Sequence, residues 1–173
     1  MRRMNDPLVR LRPLGSDDLA IMRRFAVEPG LVGPNWSGFR DAGAVDRRFA
    51  ADGYLGPDDG RLVVEVDDTA AGAVSWHAVA VTAPRYWNIG IVLLPDFRGR
   101  GVGWRAQALL CEYLFEHSPV ERIEAGTQPE NLAEQRALVR AGFAKEGELR
   151  RAEFRGGAWH DMWVYSRLRE RDV

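Results

Sequence analysis

The chain has 173 residues, with 24 basic against 25 acidic side chains and a formal net charge of -1. That balance gives no bulk attraction to nucleic acid or to an anionic membrane. The length is that of one domain with a real core. Lys145 is the sole lysine among the cationic residues, and Cys111 is the single cysteine, so no internal disulfide forms and a reducing, cytoplasmic setting is expected. No run reaches the roughly 18 apolar residues of a membrane span. Met1 to Pro7 carries basic residues with no apolar segment behind them, unlike a secretion signal.

In chain order, Leu8 to Leu14 alternates as a short first strand closed by Pro13. Ser16-Asp17-Asp18 offers an N-cap and acids for a helix through Leu19, Met22 and Phe25 to about Val27. Glu28 to Arg40, rich in Gly and Pro and carrying Trp36 and Phe39, reads as a long loop. A helix is expected over Asp41 to Ala51, and Gly53 to Gly60 breaks the pattern. Arg61 to Asp67 and Gly72 to Val81 read as a hairpin joined by Asp68 to Ala71, with Thr82-Ala83-Pro84 turning into a strand from Tyr86 to Leu94.

The stretch from Asn88 to Glu116 carries the most information. Its apolar strand runs through Ile89, Ile91, Val92, Leu93 and Leu94 to Pro95. The loop Arg98-Gly99-Arg100-Gly101-Val102-Gly103 follows, then a helix with Val102, Ala106, Leu109, Leu110, Tyr113 and Leu114 at helical spacing, ended by His117-Ser118-Pro119. A glycine-rich loop at a helix start can bind phosphate through backbone amides and the helix dipole. A plain tight turn fits the spacing equally. The loop is neither G-x-x-x-x-G-K-[ST] nor G-x-G-x-x-G. Cys111, among leucines, reads as a core residue. Arg122 to Thr127 makes a short strand, Pro129-Glu130-Asn131 opens a helix to Ala141, and Phe143 to Phe154 pairs with Ala158 to Leu168 around Arg155-Gly156-Gly157. The sum is a single α/β domain over 1–173, residues 1–7 being expected to be disordered.

The loop resembles the (Q/R)-x-x-G-x-(G/A) pyrophosphate loop of the GNAT superfamily of acyl-CoA-dependent N-acetyltransferases. Asn131 with Arg140-Ala141-Gly142-Phe143 resembles that family's N-x-x-S...L-x-x-x-GF segment. Trp159-His160-Asp161-Met162 with Val164-Tyr165-Ser166 resembles the closing strand of its ribosomal-protein alanine acetyltransferase branch. The likeness runs from Leu8 to Leu168. It implies a mixed, mostly antiparallel central sheet flanked by helices on both faces, and transfer of an acetyl group from acetyl-CoA, without a metal, to an amine that is a small molecule or a peptide N-terminus. It further implies that Gly99, Gly101, Val102, Gly103 and Trp104 offer amides to the pyrophosphate, with Arg98 or Arg100 as charge. The backbone of Ile91, Val92 and Leu93 would pair with the pantetheine arm, and Asn131 would bind the pantetheine end or cap its helix.

The sequence departs from that pattern where protons move. Asn88 and Gly126 stand where relatives carry Glu, and Glu134 and Leu138 stand where relatives carry Ser or Tyr. Candidates to replace them are His77, on a strand beside the cleft, whose imidazole suits a general base, and Glu134, a cleft carboxylate or a solvated one. Glu124 reads as an exposed charge, and His160 and Asp161 as closing the last strand. Trp36, Trp76, Trp87 and Trp159 suit either aromatic walls or the core. An exposed sheet edge or the final hairpin would support a homodimer. A domain that binds acyl-CoA without turning it over, as a sensor or scaffold, is the alternative.

Overall fold

The computed structural model describes residues 7–79 and 85–170. The expected turn at Thr82–Pro84 and, Pro7 excepted, the expected N-terminal disorder lie outside them. Seven strands form one sheet in the order β1-β2-β3-β4-β5-β7-β6: β1 Val9–Arg12, β2 Asp59–Val66, β3 Thr69–Val79, β4 Tyr86–Leu93, β5 Arg122–Thr127, β6 Ala144–Arg155 and β7 Ala158–Leu168. Only the β4–β5 contact is parallel; the other neighbours run antiparallel.

Helices cover both faces because each strand alternates its side chains between two cores. On one face α4 (Val102–His117) and α5 (Leu132–Arg140) pack, through Val102, Ala106, Leu110, Leu114 and Leu138, onto Leu62, Val64, Val74, Trp76, Trp87, Ile89, Ile123 and Tyr165. On the other, α1 (Leu19–Val27) and α3 (Gly43–Asp52) bring Leu19, Met22 and Val45 onto Val63 and Ala73, with Val92 at the edge of that cluster. Leu110 is fully buried, and its truncation to Ala would cost about 2–5 kcal/mol.

Several boundaries differ from the sequence reading, each for a local reason. The predicted 28–40 loop contains a short helix, α2 (Pro29–Val32), with Pro at its first position, and a 3-10 turn at Gly33–Asn35. Ser16 is not an N-cap. It opens a 3-10 turn, and the Asp18 carboxylate reaches back to accept the Gly15 amide at 2.8 Å. The β2–β3 connection is only Asp67-Asp68, at φ 47° and 64°. Two left-handed residues form the hairpin turn whose twist matches its strands, so β3 begins at Thr69. In the last hairpin β6 bulges between Leu149 and Glu153, where Arg151 sits at φ 52° and donates its amide to Asp161 Oδ1 at 2.7 Å. Asp161 thus holds a bulge, and His160 pairs with the Arg155 carbonyl through Nε2 at 3.2 Å.

Candidate active site

The sheet opens at one place. β4 and β5 pair at Trp87↔Ile123, Asn88↔Glu124 and Ile89↔Ala125 and no further, although β4 continues to Leu93 and β5 to Thr127. Beyond that vertex the two strands part at their carboxyl ends. α4 follows β4 and α5 follows β5, so both helix N-termini lie at the mouth of the opening, the position where open α/β sheets bind ligands.

The phase of the β3–β4 ladder decides which backbone groups face this opening. Leu94 donates its amide to the Ala71 carbonyl at 2.8 Å. In a regular antiparallel ladder, residues that exchange both bonds recur every second position. Val92 and Gly90 are therefore spent on β3, opposite Ala73 and Ser75, while Ile91 and Leu93 turn their N–H and C=O groups to the free edge. The expectation of three consecutive residues narrows to Ile91 and Leu93. Leu93's carbonyl is already held, accepting from Arg98 Nε at 2.9 Å.

The same bond engages Arg98. Its Nη2 also donates to the Leu31 carbonyl, so the guanidinium ties the end of β4 to α2. Arg100 is the more available cation, exposed, with one 3.3 Å bond to the Asp96 carbonyl. Gly99 and Gly101 sit at φ 70° and 74°, left-handed backbone that side-chain-bearing residues rarely adopt. A Cβ at Gly99 would meet nothing within 4 Å, so the loop faces open space. Arg105 lies over Trp104, 4.5 Å from its ring, and donates to the Gly101 carbonyl at 3.0 Å. From Arg98 to Gln107 there are three arginines and no acid. Open amides at a 16-residue helix, with that charge, fit a pyrophosphate.

Opposite lies the first turn of α5. Asn131 caps it, its Oδ1 accepting the Glu134 amide at 3.2 Å. Glu134 is not solvated: it is half-buried, and burial pushes its carboxyl up to about 7, against the opposing pull of a hydrogen bond from Gln107. Gln107 is 1% exposed and its Oε1 has no hydrogen-bond partner among the described residues. Gln107 was missed in the sequence, although a lone polar residue between Ala106 and the buried Leu110 and Cys111 is the signal that marks it.

On the sheet face away from α4, His77 is exposed and opposite Asn88, one strand short of the opening. Trp76 and Trp87 are not cleft walls. They are 6% and 7% exposed in the α4-side core, where Trp87 donates to Ser118 Oγ at 2.9 Å. Trp36 packs edge-on to Phe39 and Trp159 to Phe154, all outside that core. Cys111 is fully buried, and burial pushes its thiol up to about 12, which leaves no thiolate for nucleophilic work. Among the described residues no helix is long and apolar enough to cross a membrane.

The family profile of the acetyltransferase (GNAT) domain matches residues 9–144. YjcK of Bacillus subtilis, a probable N-acetyltransferase, is 36% identical over 106 residues, 61% of this chain and 59% of that protein. YdaF of the same species, a putative ribosomal N-acetyltransferase, is 28% identical over 103 residues, 60% and 56% of the two chains. The chain thus spans less than two thirds of these relatives' length. The structure of Mycobacterium smegmatis RimJ in complex with CoA-disulfide superposes with a TM-score of 0.75 at 25% identity, covering 92% of this chain and 81% of that one. Spermidine N-acetyltransferase from Vibrio cholerae, in complex with CoA and spermine, shares the fold with a TM-score of 0.75 at 19% identity, covering 92% and 95%. The match over residues 9–144, together with a sheet that parts between its only parallel strands beside a glycine-rich helix start, makes this chain a member of the GNAT acetyltransferase family.

Proposed function

We propose that the protein transfers an acetyl group from acetyl-CoA to an amine, either a peptide N-terminus or a small metabolite. The observation that carries this reading is the parting of β4 and β5 after Ile89 and Ala125, with the amides of α4 at its mouth. Acetyl-CoA supplies an activated thioester. The amides from Gly99 to Trp104 and the Arg100 side chain hold its pyrophosphate, and Ile91 and the Leu93 amide pair with its arm as an added strand would. The Ile91 N–H is a fixed donor for negative charge developing on the thioester oxygen. Asn131 positions the start of α5 beside the arm.

Two proton roles belong to this chain's own side chains. Glu134, whose carboxyl burial pushes up to about 7 so that a protonated form is within reach near neutral pH, delivers a proton to the departing sulfur. His77 collects the amine's proton through water, since it stands one strand from the opening. The bonds balance: C–N forms, C–S breaks, one proton leaves the nitrogen and one reaches the sulfur. The acceptor classes follow those named for the relatives, ribosomal protein and spermidine. The exposed Leu149, Phe154 and Trp159 of the β6–β7 hairpin would serve a homodimer.

The test is release of free CoA thiol from acetyl-CoA across primary amines and short peptides, beside calorimetric titration with CoA. Turnover establishes the reading. Micromolar CoA binding with no turnover would instead favour a sensor or scaffold, the reading suggested by Asn88 and Glu134 standing where the family pattern has Glu and Ser.

A further inference from the structure

One rung of the sheet carries a row of chemically active side chains: Asp59 on β2, His77 on β3, Asn88 on β4, Glu124 on β5 and Ser166 on β7 are successive Cα partners. All lie on the face away from α4, because their sequence neighbours Trp76, Trp87, Ile89, Ile123, Ala125 and Tyr165 fill the α4-side core. Asn88 and Glu124 form the last rung on this face before β4 and β5 part. The next positions along the face are Gly90 and Gly126. A Cβ at Gly90 would have only the Ser75 hydroxyl near it, at 3.4 Å, whereas one at Gly126 would strike Met162 Sδ at 2.5 Å. The rung at Asn88 and Glu124 therefore borders an open floor on the β4 side, with Met162 as the wall on the β5 side.

Its carboxylate is held in a particular way. Arg122 Nε and Nη2 both bond Oε1 of Glu124, at 2.7 Å and 2.5 Å. Arg122 is fixed in turn by Glu146, whose Oε1 accepts from Arg122 Nη1 at 2.9 Å and from Ser166 Oγ at 2.5 Å. The Tyr86 ring lies 5.8 Å from the Arg122 guanidinium, and its hydroxyl bonds the Glu124 carboxyl. The Glu124 side chain is 16% exposed. Two carboxylates share one guanidinium, so the group keeps a net negative charge in a partly desolvated place, where a charge-assisted hydrogen bond is strongest.

We propose that Glu124 is the residue that receives the acceptor's ammonium group, which makes the site selective for amines that are cations at neutral pH. This rests on the acetyl-transfer reading and adds to it the docking point of the acceptor. Arg122, Tyr86, Glu146 and Ser166 are positioning residues: they hold the carboxylate on the last rung beside the vertex, where the net negative charge of the group meets the ammonium. Glu124 binds and orients; the bound ammonium gives one proton to solvent water before the C–N bond forms, and the second leaves the nitrogen as that bond forms.

The test uses a cation that binds without forming a stable amide. The CoA-loaded protein is titrated, by ligand-observed NMR at pH 7, with N,N-dimethyl-2-phenylethylamine and with its neutral counterpart 2-phenylethanol, in wild type, Glu124→Gln and Glu124→Asp. Turnover of 2-phenylethylamine is followed in parallel. The expected result is at least tenfold weaker binding of the cation to Glu124→Gln, partial recovery in Glu124→Asp, and alcohol and CoA affinities unchanged within twofold. For turnover, KM rises about tenfold in Glu124→Gln while kcat changes less. Equal weakening of cation and alcohol, an unchanged cation affinity, or no cation binding to wild type would overturn the assignment. Absence of transfer by wild type to any amine would overturn the acetyl-transfer reading, and the assignment with it; a wild type that turns over with an unchanged KM in Glu124→Gln would overturn the assignment alone.

Discussion

Glu134, in the first turn of α5, meets the buried amide of Gln107, in the second turn of α4. Burial raises the Glu134 carboxyl to about 7, and a neutral carboxyl is the one form that has an O–H to donate to the orphaned Gln107 Oε1. A carboxyl whose folded pKa is raised binds its proton more tightly in the native state. Stability is then highest below the unfolded value and falls as pH rises through about 7. Glu134→Gln removes that slope. Urea unfolding should show the variant about 1–3 kcal/mol more stable than wild type at pH 8 and nearly equal at pH 4.5. A constant difference at both pH values would mean that Glu134 does not titrate in this range.

Asp18 shows the opposite sign. Arg12 donates to both its oxygens, at 2.7 Å and 3.0 Å, and lowers its pKa, helped by the Gly15 amide. This stabilisation is present above the ordinary carboxyl range and is lost as pH falls through the depressed folded value. Asp18→Asn leaves a 6% exposed amide against a guanidinium and should cost about 2–3 kcal/mol at pH 7. The deficit should shrink as wild type is taken down through the depressed folded value, where Asp18 itself protonates.

Cys111 bears directly on the proposed assay, which reads a free thiol. With its side chain fully buried and its thiol pushed up to about 12, native protein at pH 8 should react with Ellman's reagent only through global unfolding. One equivalent should then appear at once in guanidinium chloride. Rapid labelling of the native protein would show that the α4-side core opens locally.

The strands, the long helix and the glycine loop were legible because periodicity and turn chemistry are local. Val102, Ala106, Leu110 and Leu114 repeat with the helix, and the Gly156-Gly157 turn marks its own hairpin. The parting of β4 and β5 was not legible, since a strand's sequence does not state where its neighbour leaves it. For the same reason Glu124 read as a surface charge. Its burial comes from Arg122 two residues away and from Glu146 and Ser166 on strands that reach it only in the fold. The motif position of Arg98 was legible, and its two carbonyl partners, 5 and 67 residues away, were not. Trp76 and Trp87 could be assigned a face only once β3 and β4 were in register.

The ladder phase makes adjacent residues of β4 respond oppositely to proline. Val92 is spent on β3 opposite Ala73, so Val92→Pro removes a ladder donor inside the sheet and strands a buried carbonyl on Ala73. A loss of about 2–4 kcal/mol is expected, seen as a large fall in Tm or failure to fold. Ile91 instead turns its N–H to the free edge, where proline is tolerated in sheets, and Gly90 before it accepts the extended backbone that proline requires. Ile91→Pro should therefore keep most of its Tm, less the packing lost from a half-buried side chain, while CoA affinity falls at least tenfold because the arm loses its amide donor. Ile91→Val, which keeps the amide and trims one methylene, controls for that packing and should bind CoA as wild type does. The measurement is calorimetric titration with CoA beside thermal unfolding of the three variants. If Val92→Pro folds and Ile91→Pro does not, the ladder has the other phase and Val92 faces the cleft.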